Sequence, residues 1–355
     1  MYFILHSNLE TSFSDTEPEN VLWKFPMNLI PSNTVFTLCS CIPKKPYIYA
    51  APPNMYEVAV LKSNIQKAVR RGHVDAAVAT AWQLIRQGGQ SQTELLRRLP
   101  IILLEDTFLH VGVLTRLVWW MMATTRGWYL SEGEYRQLLL DIAWMADPAC
   151  TPHREVLGSE TKDYTLEDFR GDTGRRRDGL LAIWIRSCWG GMHGDMTFLR
   201  ALVKTWQSRE ADSPAWSLAL QDTTEHLLVL TSLDSLTFSV PIHALPEAVD
   251  YHCCSYMLPV IAKYMKEPQH VVKDAIWWHR SALNVRSFFG HRATAPPTPP
   301  PFFSRIPFEP FVRKAWTPLE RPATQQQSLL QFLIPTVPSL PPQQPMRSSP
   351  GFSRV

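Results

Sequence analysis

The sequence predicts a mostly α-helical fold: a multi-helix globular body, a loose N-terminal arm before it and a disordered Pro/Gln-rich C-terminal tail after it. Three observations predict it. From about residue 57 to about residue 290, apolar residues recur three and four apart, the period of a helix with one buried face. Before that, Pro26, Pro31, Pro43, Pro46, Pro52 and Pro53 interrupt every apolar run. Beyond residue 291 the chain turns to Pro, Gln and Ser and holds about half of its 30 prolines. Such a segment buries too little apolar surface to offset its ordering entropy. A length of 355 residues with 45% hydrophobic residues allows one large or two ordinary domains. The organisation read from it is an arm at 1–56, a helical domain at 57–290 with the 147–178 loop as its point of division, and a tail at 291–355.

In chain order, the arm reads as short extended pieces, and Cys39 and Cys41 as two thiols rather than half a metal site. The first helix carries Leu61, Ile65, Ala68 and Val69 on one stripe and Lys62, Gln66 and Arg70 on another, with Lys67 and Arg71 alongside. Gly72 is its C-cap. A second helix takes the run from Val74 to Ile85. Ser91 and Glu94 stand in capping-box spacing for a third, which Pro100 is expected to kink or end. The stretch 114–130 is apolar nearly all round, so it reads as a central buried helix closed by Gly127. Ser131 and Glu134 open the next helix, with Tyr135, Leu138, Leu139, Ile142 and Met145 as its stripe and Pro148 as its end.

Residues 147–178 read as a long loop carrying Arg175, Arg176 and Arg177. Helices resume at Leu180. The turn from Gly190 to Gly194 then reads as close helix packing or as a phosphate cradle, with Asp195 as an N-cap. Residues 225–242 favour a short hairpin, and two more helices follow it.

The run Lys62-Ser63, Gln66-Lys67-Ala68, Arg70-Arg71-Gly72, then Leu96-Arg97-Arg98-Leu99 and Glu105-Asp106, resembles the C-terminal helical region of clamp-loader-like ATPases of the RarA/MgsA group. It covers about a sixth of the chain. No G-x-x-x-x-G-K-[ST] loop occurs, so ATP hydrolysis does not come with the resemblance. In the tail, residues 326–333 are similar to the box by which replication and repair proteins bind the sliding clamp PCNA. Gln326, Leu329 and Phe332 match it, and Leu333 stands where a second aromatic is usual. A single helical turn makes these side chains an apolar plug with a polar anchor, suited to docking in a groove.

Net charge is only +3, so attraction to DNA or RNA has to come from a local patch. Lys62, Lys67, Arg70, Arg71, Arg97, Arg98, Arg175, Arg176 and Arg177 are the candidate nucleic-acid contacts, with Glu105 and Asp106 organising part of the cluster and the first helix keeping an exposed basic face. Six cysteines without framework or zinc spacing point to a reducing compartment. The chain shows no signal peptide and no apolar run of about 18 residues, so no membrane partner is expected. Asp250, His252, Cys253 and Cys254 read as buried thiols beside a hydrogen-bonded histidine; a catalytic site there would draw on His193, His243, His279 or Asp195 from elsewhere.

The expected function is therefore a non-catalytic replication or repair protein, intracellular in a nuclear or replication compartment and needing no cofactor. It would contact nucleic acid through basic helices and a sliding clamp through its tail. An enzyme acting on a phosphate-containing substrate and a helical protein–protein adaptor are the alternatives.

Overall fold

The structure, a computed structural model, describes residues 1–29, 34–52, 55, 58–70, 72–147, 162–221 and 258–273. Where the prolines predict a loose arm, the chain builds a sheet from β1 (Tyr2–Leu5), β2 (Thr11–Ser14), β3 (Trp23–Leu29) and β4 (Thr34–Ser40), in the order β2-β1-β4-β3. β1 pairs antiparallel with β2 and parallel with β4, and β4 pairs antiparallel with β3. The arm reading fails for a physical reason. Pro26 lies in an edge strand, where a missing N–H interrupts no second ladder. The extended pieces that the sequence offers are therefore strands. Phe3, Ile4 and Leu5 of central β1 are buried, and Phe3 stacks on its cross-strand partner Phe13 with ring centroids 4.0 Å apart.

The rest is helical, as predicted: α1 (Val58–Arg70), α2 (Val74–Arg86), α3 (Gly89–Asp106), α4 (Val111–Thr124), α5 (Glu132–Met145), α6 (Gly174–Cys188), α7 (His193–Gln207), α8 (Pro214–Ala219) and α9 (Leu258–Met265), with a 3-10 turn at Leu166–Phe169. Residues 269–273 are also helical. α4 is the central buried helix expected at 114–130, and Val111 to Ala123 are buried apart from Gly112. It packs on α3 and α6 and under β1 and β2, so helices on both sides of the 147–178 loop share one core. Trp119 Nε1 donates to the Phe3 carbonyl at 3.1 Å, pinning sheet to helix.

Three boundaries differ from expectation. α3 starts after Gly88 without a side-chain cap, so Ser91 lies inside the helix, and it continues past Pro100 to Asp106. Seven apolar side chains of α3 are buried, and so is Pro100 itself, and tertiary packing of that kind outweighs the roughly 3 kcal/mol that an interior proline costs. α6 begins at Gly174, not Leu180, so the three arginines form its first turn. α7 starts at His193 with Met192 as an N-cap that makes no side-chain bond, and Asp195 falls in its first turn. The Ser131–Glu134 capping box forms as read, and its buried Glu134 also accepts from Trp120 Nε1 at 3.0 Å and Trp128 Nε1 at 2.9 Å.

A buried bidentate pair, Arg116 to Asp141 at 2.8 and 2.6 Å, joins α4 to α5. Among the described residues no helix is long and apolar enough to cross a membrane. The hairpin expected at 225–242, Cys150, the Asp250 to Cys254 run and the tail at 291–355 lie outside the described residues.

Candidate functional site

Five residues of the helical resemblance, Gln66, Arg70, Arg98, Glu105 and Asp106, meet in one buried polar cluster. α1 is covered almost all round: Leu61, Ile65, Ala68 and Val69 face the core, and Ser63, Asn64, Gln66 and Lys67 are buried as well. Asn64 Nδ2 donates to Thr80 Oγ1 of α2 at 2.7 Å. Four residues form the centre. Gln66 Nε2 donates to Glu105 Oε2 at 2.7 Å and to Asp106 Oδ2 at 2.9 Å, while its Oε1 accepts from Arg98 Nη2 at 2.8 Å. Both ends of the amide are engaged, which fixes its orientation. Gln66 and Arg70 stand one helical turn apart on α1, and Arg98 and Glu105 stand two turns apart on α3, so the two helices present these groups to each other.

The cluster continues outward. Arg70 Nε donates to Asp106 Oδ1 at 2.5 Å. Arg98 reaches Glu105 Oε2 at 3.6 Å and Asp195 Oδ2 of α7 at 3.0 Å. Lys62 pairs with Glu94 at 2.7 Å, and Arg97 stands 3.8 Å from the same carboxylate. The neighbouring Arg186 of α6 donates to the carbonyls of Arg97, at 2.9 Å, and Gly190, at 3.0 Å. Burial pushes the Glu105 carboxyl up to about 7, a rise that Asp106 and Asp195 reinforce and Arg98 opposes. Burial likewise pulls the Arg186 guanidinium down to about 10.

Among the described residues of the first helix, the cations expected on an exposed basic face are instead paired or buried. Lys62, Arg70 and Arg98 pair with carboxylates inside the fold, and Lys67 is only 3% exposed. Arg97 keeps the most open side chain of the group, at 37% exposure. At the start of α6, three arginines oppose the positive end of the helix dipole, and nearby acids offset this. Arg176 pairs with Asp172 at 3.0 Å, donates to the Gln207 carbonyl and stacks on Trp216, and Arg177 pairs with Asp15 at 2.9 Å. Arg175 is exposed, its Nη2 3.3 Å from where a Cβ on Gly112 would lie.

The glycine-rich turn approaches its neighbours closely at one position. Gly191 has φ +143°, and a Cβ on it would lie 3.0 Å from Met196 Cε, beside the Arg186 guanidinium. Asp195 is held by Arg98, and His193 Nε2 stands 3.5 Å from Thr197 Oγ1. His252, Cys253, Arg71 and the clamp-like residues Gln326, Leu329, Phe332 and Leu333 lie outside the described residues. Cys39 is buried, its thiol pushed up to about 11 by desolvation, and Cys41 is half-buried. Among the described residues no three or more His, Cys, Asp or Glu side chains are grouped to hold a metal ion.

Sequence reading missed Asp195 as the partner of Arg98 and Asp141 as the partner of Arg116. The first partnership spans 97 residues and leaves no local spacing signal, whereas Glu134 was signalled by its capping box. Comparison with known proteins finds no matching family model, no matching curated protein and no matching solved structure.

Proposed function

We propose that this chain is a non-catalytic helical adaptor, with a rigid body that carries a tail segment able to tether it to a sliding clamp during replication or repair. The observation that supports this reading is the direction of its charge. An enzyme keeps acids and cations where a substrate reaches them. Here Glu105 and Asp106 are 4% and 2% exposed, closed in by Gln66, Arg70 and Arg98. Such a network holds three helices in one arrangement, which suits a platform better than a reaction centre. The partner class comes from the resemblance of residues 326–333 to a clamp-binding box. A short motif of modest affinity gains from avidity when the body docks on the same assembly.

The test is calorimetric titration of the full chain into the sliding clamp of the same source. We expect one chain per clamp subunit at micromolar affinity, about −8 kcal/mol, which is modest because the segment loses ordering entropy on docking. Phe332→Ala should weaken binding by about 2 kcal/mol, as loss of an aromatic anchor does. Leu333→Phe should tighten it by restoring the second aromatic. An absence of heat for the wild-type chain, together with no competition against a known clamp-binding peptide, removes the tether.

A further inference from the structure

With the α1 and α3 cations turned inward, the unpaired positive charge lies elsewhere. Lys44 and Lys45, on the linker after β4, and Arg126, in the turn between α4 and α5, are exposed. Among the described residues none of the three forms an ion pair with a carboxylate; Glu17 is paired with Lys24 at 3.1 Å and Glu132 with Arg136 at 2.7 Å.

Aromatic rings stand among these cations. The Lys44 ammonium lies 4.8 Å from the centroid of the Tyr129 ring, and the Arg126 guanidinium 5.7 Å from that of Phe25 on edge strand β3. Tyr129 is 58% exposed, an unusual state for so large a ring. The surface is firmly backed. Trp128, next in the chain, is buried against Trp23 and Trp119, with ring centroids 5.2 and 5.3 Å away, and its Nε1 donates to Glu134. The Tyr47 amide donates to the Leu130 carbonyl at 3.3 Å, tying the linker to the turn. Gly127, at φ +80°, makes the turn possible and leaves room for Lys44, whose Nζ is 3.9 Å from where a Cβ would lie.

We propose that Lys44, Lys45, Arg126 and Tyr129 form a contact surface for single-stranded nucleic acid. A base stacks on the open Tyr129 ring, and the Lys44 ammonium swings on its flexible stem from the ring to the adjoining phosphate. Lys45 and Arg126 neutralise neighbouring phosphates. The ring selects an unstacked base and so a single strand, whereas an acidic peptide would use the cations and leave Tyr129 without a role. This surface goes beyond the tether reading and does not depend on it.

The experiment is fluorescence-anisotropy titration of the full chain with labelled oligo-dT and oligo-U of 20 nucleotides over a range of salt. The controls are a duplex of equal length and a labelled polyglutamate peptide. Tyr129→Ala should weaken oligonucleotide binding about tenfold or more, with Tyr129→Phe retaining it. Replacing Lys44, Lys45 and Arg126 together by alanine should flatten the log–log salt slope by roughly 2. All four side chains are at the surface, so unchanged melting temperatures are expected and are measured alongside. No oligonucleotide binding at low salt, equal binding by the Tyr129→Ala chain, or tighter binding to the duplex or to polyglutamate overturns the proposal. The same protein preparations are titrated with the clamp, so that loss of the strand surface and loss of the tether are read apart.

Discussion

Replacing Asp106 by alanine should lower the stability of the fold by about 3 kcal/mol, the low end of what removing one partner of a buried ion pair costs. The Asp106 side chain is wholly buried and accepts from both Arg70 Nε and Gln66 Nε2. Without it, the Arg70 guanidinium, 15% exposed, loses its closest carboxylate, and its Nη1 already has no hydrogen-bond partner among the described residues. Lys62→Ala is the internal comparison. That pair is about a third exposed on each side, so its loss should cost no more than about 1 kcal/mol. Urea unfolding of the two variants reads the difference. Equal, small losses would mean that Asp106 organises nothing.

Glu105→Gln should make stability depend differently on pH. Burial raises the Glu105 carboxyl from its ordinary 4.5 to about 7 in the folded chain. A carboxyl raised in this way contributes fully below its unfolded value, and that contribution is lost as pH rises through about 7. Glutamine keeps an acceptor for Gln66 and carries no charge to desolvate. The variant should therefore gain on the wild type between pH 5 and pH 8, by on the order of 2 kcal/mol. His110 works in the opposite sense in both proteins: burial lowers it from 6.5 to about 4, so its contribution is lost as pH falls from 6.5 toward 4. Because both chains carry it, it cancels in the comparison. A gap between variant and wild type that is the same at both pH values would show that Glu105 is charged throughout.

Much of the helical body is legible in the sequence because period and caps are local. The α4 run is apolar on every side and is buried on almost every side, and Ser131 with Glu134 marks the start of α5 as the structure has it. Pro100 and Pro26 mislead because a proline's effect depends on surroundings that the sequence does not display, a packed helix in one case and an edge strand in the other. The cluster is legible as composition but not as direction. Lys62, Gln66 and Arg70 on one stripe fit a solvent-facing basic helix as well as they fit a helix buried against acids. What decides between these is the placement of α3 and α7, which supply Glu105, Asp106 and Asp195. The patch at Lys44, Arg126 and Tyr129 carries no sequence signal, since its parts come from two separate connections brought together by the sheet.

The claim on which the rest depends is that the basic residues of α1 hold the fold together and do not face a ligand. A double-mutant cycle on stability tests it, with Arg70→Met, Asp106→Leu and the two combined, measured by urea unfolding. Each single change leaves a buried group without its partner, while the double change leaves neither. The double variant should be less destabilised than the sum of the singles by about 2 kcal/mol or more, and Arg70→Met should leave the salt slope of oligonucleotide binding unchanged. Additive losses, with a flatter salt slope for Arg70→Met, would contradict that claim and place that charge at the surface.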